Sequence, residues 1–200
     1  MDTISRIADI PAEIEQTIIG VTELDDLVNL CETNSYYRGL CKDDEFWERK
    51  FRHEQTFIVN KQTNPRDWIN ELKHSIHCKS KANTILADFS SFSSTYKQFL
   101  IVDFNFVNTT DIFPDFLDKK RINSLLLFSR TRQDAEKRGG QIIIDKHQGQ
   151  PVIEFQTYTE QNGMLTYVVD PTEKQLFYIF FLFCYYSVRM YDDHGQTIYN

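Results

Sequence analysis

The chain changes its hydrophobic period once, near Lys81. Before that point apolar residues recur in short bursts at helical spacing, separated by polar turns. After it Phe, Ile, Val and Tyr gather into runs bounded by Gly, Pro and Asn. Helices grouped in front of consecutive strands, with no helix–strand alternation, specify an α+β chain. The expected architecture is a small N-terminal helical bundle with a trailing helix over residues 1–80, then a mainly antiparallel sheet with a C-terminal helix over residues 81–200.

In the front part, Ile10, Ile14, Ile18 and Val21 share one face of a helix that Asp9 can cap and Pro11 can begin. Thr22 and Asp25 open a second helix carrying Leu24, Leu27, Val28 and Leu30, which fades near Thr33 and Asn34. A third carries Tyr36, Tyr37 and Leu40. A fourth starts at Asp43 or Asp44 and turns Phe46, Trp47 and Phe51 inward. Pro65 and Asp67 then begin a helix through Trp68, Ile69, Leu72 and Ile76.

In the rear part, strands are expected at Gln98–Val107, Ser124–Arg130, Gln141–Asp145, Val152–Tyr158 and Met164–Val169. Gly139-Gly140, Gly149-Gln150-Pro151 and Asn162-Gly163 supply the turns, and the last of these is a strong hairpin signal. The final three strands therefore read as an antiparallel meander. Asp170-Pro171-Thr172-Glu173 combines a cap, a proline and an acid, so Leu176–Met190 is read as a helix buried against the meander, with a long strand, which its aromatics favour, as the alternative. Its apolar run, Leu176 to Val188, is thirteen residues long. A bilayer core takes about 20, so no membrane partner is expected.

Charge narrows the partners. The net charge is −7, and eight carboxylates against Arg6 alone lie between Asp2 and Glu32. Binding to a phosphate backbone rests on clustered Lys and Arg, so nucleic acid is not expected as a partner. The N-terminus carries Asp2 and Asp9 and has no apolar signal core, which points to a cytoplasmic protein. Cys31, Cys41, Cys78 and Cys184 form no CxxC pair and are read as reduced thiols, with no metal site and no cofactor.

At this point the front segment becomes recognisable. Ile10-Pro11 followed by Glu13-Ile14 resembles the Leu-Pro-x-Glu-Leu opening of the F-box family, and Asp26-Leu27-Val28-Asn29-Leu30 resembles its Asp-Leu-Leu-x-Leu stretch. Tyr37-Arg38-x-Leu40 stands where that family has Trp-Arg-x-Leu, and Asp43-x-x-Phe46-Trp47 where it has Asp-x-x-Leu-Trp. The four pieces run in register through about a quarter of the chain, and Trp68-Ile69-x-x-Leu72 resembles the helix that often follows. The general character resembles F-box-like proteins of large DNA viruses, for which the place of action would be host cytoplasm. The chain departs from the pattern at Glu15, Gln16, Glu32, Asn34 and Gly39.

The resemblance implies docking on a Skp1-like adaptor and, through it, on a cullin scaffold, with the rest of the chain holding a protein substrate of unknown identity. The residues it offers as anchors are Ile10, Pro11, Ile14, Leu27, Leu30, Tyr37 and Trp47. Each has a plainer reading, as part of the bundle's own core.

No catalytic signature stands beside these residues. Gly139-Gly140 lacks the pattern that cradles phosphate, and no His-Glu-x-x-His or Gly-x-Ser-x-Gly occurs. His74 and His77 share a helix face without a third ligand. Asp103, Asp145 and Glu154 are strand-end charges that could converge in a cleft. The chain is therefore read as a protein-interaction adaptor of a ubiquitin ligase and not as an enzyme. The alternative is a structural or assembly protein, of a virion for example, whose helical module makes fixed contacts.

Overall fold

The computed structural model describes residues 22–33, 35–91, 99–101, 114, 116–118, 120–122, 141–158, 164–191 and 196–199. The expected helix over Pro11–Ile19, the strand Ser124–Arg130 and the Gly139-Gly140 and Asn162-Gly163 turns lie outside them. The chain is α+β and divides into two compact units, 1–79 and 80–200. The boundary falls inside a helix.

The first unit contains α1 (Leu24–Thr33), α2 (Ser35–Leu40), α3 (Asp44–His53) and the first part of α4 (Pro65–Ser91). Each start has a local cause. Asp43 caps α3, its carboxylate accepting from the Glu45 N–H at 3.0 Å. Asn64 caps α4, accepting from the Asp67 N–H at 3.0 Å while its own amide donates to the Asp67 carboxylate. The first of these bonds satisfies one of the amide donors that a helix start leaves open, and Pro65 stands at the position where no N–H is needed.

The apolar stripes of these helices meet in one cluster of Leu27, Cys31, Cys41, Phe46, Trp47, Phe51, Trp68, Ile69 and Leu72. Ion pairs flank it: Lys73 with Asp25, and Arg66 with Glu32 at 3.1 Å. Numbering rises along α1 as it falls along α4, so the two helices run antiparallel. Much of the acidity of α1 is thus matched inside the unit. Lys50 is buried, and its ammonium reaches Glu54 Oε1 at 3.0 Å and the Thr22 carbonyl at 3.3 Å.

Reduced cysteines are the expectation for this chain, and the structure corrects it for two of them. Cys31 and Cys41 form a disulfide with Cα atoms 5.9 Å apart, leaving Cys78 and Cys184 as free thiols. The cause is the fold-back between α1 and α2, which brings the end of one helix beside the turn that follows the other. The backbone separation is one that a disulfide spans.

α3 ends in a Schellman motif, with Thr56 N–H donating to the Phe51 carbonyl and Gln55 N–H to the Arg52 carbonyl, both at 3.0 Å. Gln55 takes the left-handed position, φ 51°. The segment after it is extended and draws its hydrogen bonds from α4. Ser75 Oγ donates to the Phe57 carbonyl at 3.0 Å, and Lys79 Nζ to the Glu54 carbonyl at 2.8 Å.

In the second unit α4 continues through buried Ala82, Ile85 and Phe89, beyond the Lys81 limit read from the sequence. The sheet has six strands: β1 (Phe99–Ile101), β2 (Gln141–His147), β3 (Gln150–Tyr158), β4 (Met164–Val169), β5 (Met190–Tyr191) and β6 (Thr197–Tyr199). Their order is β4-β3-β2-β1-β5-β6 and all pairings are antiparallel. The meander β2-β3-β4 is as expected, while β5 and β6 are additional.

The β2–β3 turn is Gln148-Gly149, one residue earlier than the sequence suggests. Both residues have positive φ, 54° and 81°, as a tight hairpin turn of this hand requires. Pro151 therefore lies in β3, opposite Lys146. It is tolerated because the β4 pairing stops at Ile153↔Val169, so no ladder bond is lost on that side.

Ile142, Ile144, Ile153 and Phe155 share one buried face of the sheet. Lys146, on the same face, donates to the Ser90 carbonyl at 3.0 Å and lies over the Phe89 ring. Phe89 also meets Phe180 edge-on, ring centroids 6.1 Å apart. Phe180 belongs to α5 (Glu173–Tyr185), the expected C-terminal helix, which buries Leu176, Ile179, Phe180, Phe181, Leu182 and Phe183. Its cap is Thr172 rather than Asp170: Thr172 Oγ1 accepts from Gln175 N–H, and the Gln175 side chain accepts from Thr172 N–H at 2.8 Å. α5 also ends in a Schellman motif, with Ser187 at φ 53°. Among the described residues no helix is long and apolar enough to cross a membrane.

Candidate functional site

Of the seven residues offered as docking anchors, Ile10, Pro11 and Ile14 lie outside the described residues. Leu27 and Trp47 are in the core of the first unit, 1% and 0% exposed, and Tyr37 is buried as well. Leu30 is half-buried and does not belong to the core cluster.

Trp47 organises the centre of the bundle. Its ring stacks on Trp68 with centroids 5.8 Å apart and planes 10° apart, and Phe46 meets it edge-on at 5.0 Å. Its Nε1 donates to the Cys41 carbonyl at 2.9 Å, so the one polar atom of the ring is satisfied without water. Leu27 and Cys31 lie one helical turn apart on α1 and present the same stripe to that centre. Trp47 and Leu27 thus hold the short helices in place rather than projecting from them.

Among the described residues an apolar fringe surrounds this core. Leu24 and Val28 on α1, Leu40 at the end of α2, Ile58 and Ile76 are partly buried against the cluster. On α1 the helical spacing puts Leu30 on one flank of the buried stripe and Val28 on the other. Glu23, Asp25 and Asp26 at the start of α1 are exposed, so a partner reaching this fringe meets carboxylates at its rim.

A second concavity opens beside α3. Phe51, Phe57, Ile58 and Val59 give it apolar walls, Glu48, Arg52 and Lys61 line it with charge, and its volume is about 540 Å³. Thr56 also lines it, with its Oγ1 buried and without a hydrogen-bond partner. Two of its charged side chains pair across it, with Lys61 Nζ 3.6 Å from Glu48 Oε1.

Two clusters with chemical potential remain. Cys78 Sγ is 3.7 Å from His74 Nε2 on α4, one turn apart. Cys78 is buried and its environment is that of a packed thiol. In the second unit His147 Nε2 lies 3.8 Å from Asp145 Oδ2 and 3.7 Å from Glu154 Oε1 on one face of the β2–β3 hairpin. Glu154 is further held by Gln156 Nε2 at 2.8 Å. Asp145 and Glu154 thus converge as the sequence allows, while Asp103 lies outside the described residues. Among the described residues no group of three or more His, Cys, Asp or Glu side chains could hold a metal ion.

The Cys31–Cys41 pair and the His74–Cys78 contact are the features that sequence reasoning missed. The second had a usable signal, since residues four apart share a helix face. The first had none, because it depends on the angle at which α1 and α2 fold back. Comparison of the chain with protein-family models, with curated proteins and with solved structures finds no match to any of the three.

Proposed function

We propose that this chain is an F-box-like protein-interaction adaptor, which docks through its first unit on a Skp1-like subunit of a cullin-type ubiquitin ligase and presents a protein substrate through residues 80–200. The observation that carries the reading is the way the motif residues sort. Leu27 and Trp47 form a single core, and Leu24, Val28, Leu30 and Leu40 are left half-buried on short helices around it. A preformed scaffold with an apolar fringe is what helix-in-groove recognition uses, because the anchors are already ordered when the partner arrives.

Co-precipitation with a purified Skp1-like protein tests it. Substituting Leu27 or Trp47 would report on folding, so the informative variants are Leu30→Asp and Val28→Asp. The wild type is expected to bind in the micromolar range or better, and each variant to lose at least tenfold while still giving a cooperative melting transition. No binding by the folded wild type would remove the adaptor reading.

A further inference from the structure

We propose that the outer edge of β4 is a self-association surface, on which two copies of this chain pair their β4 strands antiparallel about a two-fold axis at Thr166.

β4 stands at one end of the sheet order, and among the described residues no strand pairs with its outer side. Its pairing with β3 runs without a bulge from Ile153↔Val169 to Tyr158↔Met164. Six residues of regular strand therefore present a row of alternating N–H and C=O groups outward. Only another extended backbone can satisfy such a row.

Sheet edges that stay single are blunted by shortness, Lys, Pro or a bulge. The opposite end of this sheet follows that rule: β6 has three residues, and its pairing with β5 is interrupted between Met190 and Tyr191. β4 has none of these devices. Its sequence, Met-Leu-Thr-Tyr-Val-Val, contains no charge and no proline. Among the described residues the large hydrophobics that are exposed are Leu165 at 40% and Val168 at 50%, both on this strand.

The missing charge favours a second copy as the occupant. In a symmetric strand pair the residue on the axis meets its own image and its immediate neighbours lie close to theirs, so a charge near the centre of β4 would meet its like. A two-fold axis that extends a sheet is perpendicular to it and keeps each side chain on its own face. Opposed residue numbers must then sum to an even value. Centred on Thr166, the register sets Thr166 against Thr166, Leu165 against Tyr167 and Met164 against Val168, all uncharged, with Thr–Thr a pair that stabilises antiparallel sheets. Centred on Tyr167, it would set Asp170 against Met164. The Thr166 register is therefore the one assigned. Five paired residues per copy are a small interface, so the dimer is a weak one. With a net charge of −7 on each copy, it tightens as salt screens their repulsion.

Sedimentation of the full chain from low micromolar to submillimolar concentration reads the proposal directly. A monomer–dimer equilibrium is expected, shifted toward dimer by added salt. Thr166→Lys and Thr166→Glu should each weaken self-association at least tenfold, because like charges then meet at the axis. An equimolar mixture of the two variants should recover a dimer. Circular dichroism and melting curves establish that each variant is folded. If Thr166→Lys is not, Val168→Lys serves in its place, since that half-exposed side chain would set an ammonium against Met164 of the second copy and should weaken the pair. A wild type that stays monomeric throughout overturns the proposal, as does a dimer indifferent to these charges or a mixture that fails to associate. A monomeric wild type that captures a foreign extended peptide on β4 overturns it too, by assigning the edge to another strand.

Discussion

The indole N–H of Trp47 donates to the carbonyl of Cys41 at 2.9 Å, fixing α3 to the turn that ends α2. The two residues are six apart in sequence, and both are fully buried. Trp47→Phe keeps an aromatic ring beside Trp68 but orphans a buried carbonyl, which costs about 1–3 kcal/mol. Trp47→Ala removes the ring as well and should cost roughly 3–5 kcal/mol. Urea unfolding followed by circular dichroism measures both, and a Trp47→Ala loss no larger than that of Trp47→Phe would contradict the stacking role.

The Cys31–Cys41 disulfide closes a loop with a sequence separation of 10. By chain entropy such a loop is worth about 3 kcal/mol. Thiol titration in denaturant should find two reactive groups per chain before reduction and four after it. Reduction should lower the melting temperature of the first unit's transition. Four thiols in unreduced protein would show the bond absent.

Gln55 and Ser187 hold left-handed positions that end α3 and α5. Glycine carries no Cβ penalty there, so Gln55→Gly and Ser187→Gly should each stabilise the protein by roughly 1 kcal/mol. Glycine lowers stability in ordinary backbone, which makes a gain diagnostic. Chemical denaturation of the two single variants gives the sign.

The cap of α5 separates two neighbouring residues. Thr172→Ala should cost about 1 kcal/mol, because it removes the acceptor for the Gln175 N–H and half of a capping box. Asp170→Ala, two residues earlier and exposed, should stay within about 0.5 kcal/mol of wild type. Equal losses in the two variants would place the cap at the wrong residue.

What was legible in the sequence was local. Asp43, Pro65 with Asp67 and the acidic, proline-containing start of α5 mark helix openings because a cap acts within three residues. The turn chemistry around Gly149 marks the hairpin for the same reason, though nothing in a glutamine announces the positive φ of Gln148. The length of α4 was hidden because Lys79, Ser80, Lys81, Asn83 and Thr84 surround Ala82, Ile85 and Phe89 and mask their helical spacing. β5 and β6 are too short for a periodic signal; β5 owes its place to pairing with β1, and β6 to pairing with β5. Periodicity picked out the apolar face carrying Leu27 and Trp47, yet it could not say whether that face meets its own core or a partner. That distinction is set by how α1, α3 and α4 pack, which no single helix encodes.

The position of the unit boundary, between Lys79 and Ser80 within α4, bears on how the chain can be dissected. A truncation at the apparent junction would stop in mid-helix, opening four carbonyls on one fragment and four amides on the other. Ending the first fragment at Ser91 instead would strip the second of Phe89, the ring that touches both Lys146 and Phe180. Genetic deletions of either half should therefore be read against residue-level variants of the whole chain. Loss of function on cutting here reports a broken helix before it reports a missing domain.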